Sequence, residues 1–129
     1  MSTSILDARS KLAAALAPIE DGDPEVLVDL VDSIEPPALM IGWGEPWLTP
    51  DTACLRTGRL VTTAVASRLV PGAGVETLEH LVDYTLRRLA EDGGPWPLDS
   101  VGGPRVFTIG NVNYLAARIT LRVPITGGP

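Results

Sequence analysis

Residues 105–109 and 114–125 flank Gly110-Asn111-Val112-Asn113, and this arrangement constrains the chain more than any other. Glycine and asparagine tolerate the left-handed backbone that a tight hairpin demands, so the two stretches are expected to pair as antiparallel strands. In the second stretch Leu115, Ala117, Ile119, Leu121 and Val123 point to one side and Arg118, Thr120 and Arg122 to the other. A period of two with one apolar side means a sheet with one core face and one wet face. Something must cover the core face, and the chain supplies two helices to do it.

Residues 75–90 carry Leu78, Val82, Thr85 and Leu89 at steps of four, three and four, widened by Leu81 and Leu86. That spacing predicts an amphipathic helix, ended by Gly93-Gly94-Pro95, with Asp83 one turn before Arg87 as a candidate pair. Residues 4–17 predict a second helix. Ser4 caps it, Asp7 lies in the first turn, Ile5, Ala8, Leu12, Ala15 and Leu16 form the stripe, and Pro18 closes it. Glu20-Asp21-Gly22-Asp23-Pro24 reads as a turn, and residues 25–34 suit either a strand or a short helix. Pro36 and Pro37 bar a helix, so Ala38-Leu39-Met40-Ile41-Gly42-Trp43 is expected to be a buried strand. Residues 44–55, rich in Gly, Pro and Trp, are expected to form a loop, residues 56–70 a long β-branched strand, and residues 95–104 an irregular segment. The order α-β-β-α-β-β predicts one α+β domain over residues 1–129: a mostly antiparallel four-stranded sheet with two helices packed on one face.

Charge narrows the function. With 10 basic and 16 acidic residues the net charge is −6, which disfavours a protein that binds by neutralising phosphates. Residues 1–51 hold ten acids against Arg9 and Lys11, whereas residues 52–129 hold six acids against eight arginines. An acidic front and a basic back can meet across a subunit boundary. The one cysteine, Cys54, cannot close an internal disulfide, the first sixteen residues lack the apolar core of a signal peptide, and no run is long enough to span a membrane. A protein made in a reducing cytoplasm is expected.

Catalytic signatures are sparse. His80, the only histidine, lies in a helix beside Glu76 and Glu79, without a Gly-x-Ser-x-Gly elbow, and Cys54 has no histidine partner elsewhere. Too few ligands exist for zinc, Pro24 interrupts the alternation a calcium loop needs after Asp21 and Asp23, and Gly72-Ala73-Gly74-Val75-Glu76-Thr77 lacks the third glycine of a dinucleotide loop. No cofactor, metal or enzymatic activity is expected. Trp43, Trp47 and Trp96 are three of six aromatic residues, and each either lids the core or anchors a partner.

The whole chain resembles the tail terminator, or tail-completion, proteins of long-tailed bacteriophages, especially those of actinobacterial hosts. The resemblance lies in the N-terminal helix, the proline-led strand Pro36-Pro37-Ala38-Leu39-Met40-Ile41-Gly42, the long strand from Arg56, the helix from Leu78 to Ala90, and the hairpin from Phe107-Thr108-Ile109-Gly110 to Tyr114-Leu115-Ala116-Ala117. It implies a virion protein assembled in the host cytoplasm. Subunits would form a homohexameric ring at the head-proximal end of the tail tube, stop tube polymerisation, and meet the tail tube protein on one side and the head-tail connector or stopper on the other. DNA would pass through the lumen without sequence-specific binding. For contacts between neighbouring subunits, Asp29, Asp32 and Glu35 are nominated on one side, with Arg56, Arg59 and Arg105 on the other. Trp43, Trp47 and Trp96, the loops 44–55 and 93–104, and the segment 124–129 are candidate contacts. The alternatives are a connector, stopper or minor tail protein of the phage neck, and a small cellular ferredoxin-like enzyme.

Overall fold

A computed structural model describes residues 4–28, 34–52, 55–70, 72, 74–93 and 96–125. Helix α1 spans Ile5–Leu16 and opens on a reciprocal cap. The Asp7 amide donates to Ser4 Oγ at 3.1 Å while the Ser4 amide donates to Asp7 Oδ2 at 3.5 Å, so two otherwise orphaned donors are satisfied. Ala8, Leu12, Ala15 and Leu16 are buried, as the stripe predicted. Helix α2 spans Val75–Asp92, running two residues past its predicted end to a left-handed Gly93. It buries Leu78, Leu81, Thr85 and Leu89. The buried Thr85 hydroxyl donates to the Leu81 carbonyl at 2.9 Å, and Arg87 pairs with Glu91 at 3.8 Å rather than with Asp83.

The expected four-stranded antiparallel sheet is overturned. Among the described residues there are six strands: β1 (Glu25–Leu27), β2 (Ala38–Thr52), β3 (Leu55–Arg68), β4 (Leu98–Val101), β5 (Arg105–Ile109) and β6 (Val112–Ile125). The order is β1-β2-β3-β6-β4, with β5 also on β6, and the sheet is mixed because β1 runs parallel to β2. The strand alternative for residues 25–34 therefore applies only to Glu25–Leu27, residues 29–33 lying outside the described set.

Three further corrections share one cause, namely that a strand can continue through residues that usually interrupt it. The loop expected at 44–55 is largely strand: β2 continues by bulging, five steps from Trp43 to Leu48 matching two steps from Leu60 to Gly58 on β3. A bulge is where a strand admits proline, and Pro46 sits within it. The irregular segment expected at 95–104 contains β4. Strands β4 and β5 occupy successive lengths of the same edge of β6, interrupted at Gly102-Gly103-Pro104, where the Gly102 amide still donates to the Arg118 carbonyl at 2.8 Å. The closing turn is tighter than expected. Gly110 (φ 55°) and Asn111 (φ 68°) alone form it, so β6 begins at Val112 and Ile109 opposes Val112.

Both helices pack on one face of the sheet. Their buried residues join Leu39 and Ile41 of β2, Leu60, Ala64 and Ala66 of β3, and Leu115 through Ile125 at alternate positions of β6 in the main core. A smaller cluster of Ile34, Ala38, Val65, Ile109, Tyr114 and Ala116 covers one end of the opposite face. It accounts for the burial of Val65, whereas Val61 and Thr63, also buried, belong to the same face beyond it. Among the described residues, no helix packs over the rest of that second face.

Candidate functional site: the uncovered face of the sheet

The uncovered face is built by register. In the β3–β6 ladder Arg59 opposes Arg122, Val61 opposes Thr120 and Thr63 opposes Arg118, while β2 contributes Gly42 opposite Val61. Period-two alternation sends all of these to the side away from the helices. Arg105 enters from β5, directly opposite Ala116, on the same side. Four arginines from three strands thus share one surface.

Asp99 is their acidic neighbour. Its Oδ1 lies 3.4 Å from Arg122 Nε and its Oδ2 3.9 Å from Arg59 Nε, so one carboxylate bridges two arginines that face each other across the ladder. Arg59 also donates to Thr49 Oγ1 at 3.0 Å, which fixes its guanidinium. Like charges directly opposite on neighbouring strands are destabilising, and Asp99 offsets only one of the two. For Arg105 and Arg118 no acidic partner is present among the described residues.

Two open hollows lie on this face and share Trp43, Val61 and Arg118. One, of about 380 Å³, is lined by Arg59, Arg105, Arg118, Asp99, Ser100 and Thr120 among others. The other, of about 540 Å³, is more apolar and is walled by Met40, Thr63 and Phe107. Guanidinium forks beside hydroxyls suit recognition of carboxylates or phosphates, which accept paired hydrogen bonds in the plane of the fork.

The residues nominated from sequence fall in different places. Arg59 and Arg105 come together here, whereas Trp43, opposite Leu60, turns its ring to the helix-covered side beside Gly58 and only borders the hollows. Arg56 is exposed on the opposite side of β3, in phase with Gly58 and Leu60. Trp43 is half-buried, its ring 3.3 Å from where a Cβ on Gly58 would stand, and Trp47 leans on it with ring centroids 5.5 Å apart while remaining 49% exposed. Trp96 sits apart, beyond α2, where its Nε1 donates to Asp92 Oδ2 at 2.9 Å and its ring joins Leu86, Leu89 and Leu98 around a small hollow. Glu35 is exposed next to the buried Ile34; Asp29, Asp32 and Cys54 lie outside the described residues, as do residues 126–129 of the nominated C-terminal segment. His80 is exposed, its Nε2 3.7 Å from Glu76 Oε1.

Arg118, Arg122 and Asp99 were not nominated. The Arg-x-Thr-x-Arg alternation at 118–122 marks a wet strand face, but no local pattern says that the distant Arg59 lands opposite Arg122.

Perturbed titration lies elsewhere. The Asp23 carboxylate accepts the amides of Ile19 and Glu20 at 2.9 and 3.0 Å, and these bonds, Glu20 foremost, hold it below its ordinary value, as expected of a turn-forming aspartate. Burial pushes the Tyr84 hydroxyl up. Among the described residues there is no group of three His, Cys, Asp or Glu able to hold a metal, and no helix long and apolar enough to cross a membrane. Against protein-family models and curated proteins the sequence finds no match.

Proposed function

We propose that the chain is a structural virion protein, one subunit of a six-membered ring at the head-proximal end of a long-tailed phage's tail tube, where it halts tube growth and joins the tail to the head connector. The observation that carries this reading is an elongated slab with apolar groups left exposed at both ends. Strands β2, β3 and β6 have 15, 14 and 14 residues. At ~3.3 Å per residue they reach roughly 45 Å. Trp47 is exposed near the end where β2 meets β3, beside Gly58. Leu69 and Val70 are exposed past the other end of β3, roughly 35 Å away at the same rise per residue.

Large apolar groups exposed at opposite ends of a rigid body favour two unlike neighbours, which is what a terminator requires: one end copies the contact of the next tube ring, and the other presents a different surface. A net charge of −6 further suits a collar through which DNA slides without being gripped, provided the arginine face is turned from the lumen.

The test is to mix labelled protein with purified tail tubes and image them. Label at one tip of each tube supports the reading. Label only at capsid portals transfers the chain to the connector class, and absence from finished particles ends the virion reading.

A further inference from the structure

We infer that the uncovered arginine face is a socket for the acidic turn of a second copy of this chain, with Glu20, Asp21 and Glu25 of one copy seated against Arg59, Arg105, Arg118 and Arg122 of the next. This inference rests on the ring reading, but it concerns the side-to-side contact rather than the ends.

Charge complementarity identifies the occupant. The socket holds four arginines and Asp99, in a chain that is acidic as a whole. Residues 20–35 hold Glu20, Asp21, Asp23, Glu25, Asp29, Asp32 and Glu35, with no Lys or Arg between them. Glu20, Asp21 and Glu25 are exposed, whereas Asp23 is committed to capping the amides of Ile19 and Glu20 and so holds the turn in shape. A preformed acidic turn loses little freedom on docking.

One copy cannot close this contact on itself. Gly22, Asp23 and Pro24 lie beside Thr77, His80 and Tyr84 of α2 and lead into Glu25 of β1 at one edge of the sheet, whereas Arg118, Arg122 and Arg105 stand on β6 and β5 toward the other edge. Donor and acceptor surfaces therefore differ, so the contact is head-to-tail and propagates from copy to copy until a ring closes. The opposed pair Arg59 and Arg122 supplies a second, independent reason. A sheet that places two guanidinium groups across from each other and gives them one carboxylate retains a repulsion that a second carboxylate relieves.

The experiment uses the full chain and no tail tubes. Sedimentation velocity at about 20 mM salt follows wild type, R105E/R118E, E20R/E25R and an equal mixture of the two variants. The expected result is concentration-dependent assembly of wild type, weakened at least tenfold at about 500 mM salt. Each variant alone should be monomeric. Their mixture should assemble again, because the native turn of one variant meets the native socket of the other and the reversed turn meets the reversed socket; recovered assembly also shows that both variants are folded.

Wild type that remains monomeric at every concentration overturns the inference, as do variants that assemble like wild type or a mixture that stays monomeric. Binding of a DNA duplex by monomeric wild type, lost in R105E/R118E, overturns it in favour of nucleic acid. Assembly through these charges without capping of tail tubes would remove the tail reading and leave the socket standing. Tube capping unaffected by the charge reversals would do the opposite.

Discussion

Arg88 Nη2 donates a 2.7 Å hydrogen bond to the backbone carbonyl of Ala17, tying α2 to the carbonyl end of α1. The same guanidinium donates to the Tyr84 hydroxyl and lies 5.5 Å from the centre of its ring. A cation at a helix C-terminus meets unsatisfied carbonyls and the negative end of the dipole. Replacing Arg88 with alanine is expected to cost about 1.5–3 kcal/mol, the range for hydrogen bonds to charged groups. Urea unfolding measures this, and a loss under about 0.5 kcal/mol would show that the link contributes little.

The pH limits of stability follow from Asp23 and Tyr84. Asp23 has its pKa depressed by the Glu20 and Ile19 amides, so its contribution is present above its ordinary value of 3.8 and is lost as pH falls through the lower folded value. Tyr84 has its pKa raised by burial, so its contribution holds below 10.0 and fades as pH rises through the higher folded value. Melting temperatures from pH 2 to 11 should show a shallower acid decline in D23N and a shallower alkaline decline in Y84F. An acid limb identical to wild type in D23N contradicts the first assignment.

Thr62 is fully buried and its Oγ1 has no hydrogen-bond partner among the described residues. An unsatisfied buried hydroxyl keeps its desolvation cost without return, so T62V should stabilise the protein by about 0.5–1.5 kcal/mol. The midpoint of denaturant unfolding checks this. Destabilisation instead would mean that the hydroxyl is bonded, for example to a buried water.

Gly74 caps α2 with φ at 98°, and a Cβ there would stand 2.7 Å from Ser67 Oγ and 3.0 Å from Leu115 Cδ2. G74A is therefore expected to cost about 1–3 kcal/mol from strain and crowding together. At Gly42 a Cβ meets nothing within 4 Å, and G42A should change stability by less than about 0.5 kcal/mol. Equal effects at the two sites would refute the contrast.

Trp43 and Trp47 touch but should separate in their consequences. Trp43 lies against Gly58 and the main core, so W43A should cost about 3 kcal/mol or more. Trp47 is half exposed, and W47A should alter stability by under about 0.5 kcal/mol while reducing capture at tail-tube tips. Thermal melts and tube imaging on the same two variants provide both readouts.

What the sequence conveyed of this fold was what short-range chemistry encodes. The Ser4 cap, the Leu78–Leu89 stripe and the Gly110-Asn111 hairpin each depend on residues within a few positions of one another, and each formed. Strand β4 and the far half of β2 depend instead on a distant partner. Leu98–Val101 is strand because β6 offers it an edge, and residues 44–52 remain extended because β3 continues beside them, bulge and Pro46 included. The parallel pairing of β1 with β2 has no sequence period of its own. At the candidate site, Arg59 and Arg105 could be picked out singly by residue type, but their meeting with Asp99, Arg118 and Arg122 is a matter of register, and the same register turns Trp43 to the other face.

Every strand that hydrogen-bonds to β6 precedes it in the chain. During synthesis β3 therefore waits with a bare edge, and β4 and β5 wait with no ladder at all, until Val112–Ile125 clears the ribosome. A nascent molecule holding that much unpaired backbone is exposed to pairing with its neighbours on the same message, so crowding during translation is the moment of greatest hazard for this protein.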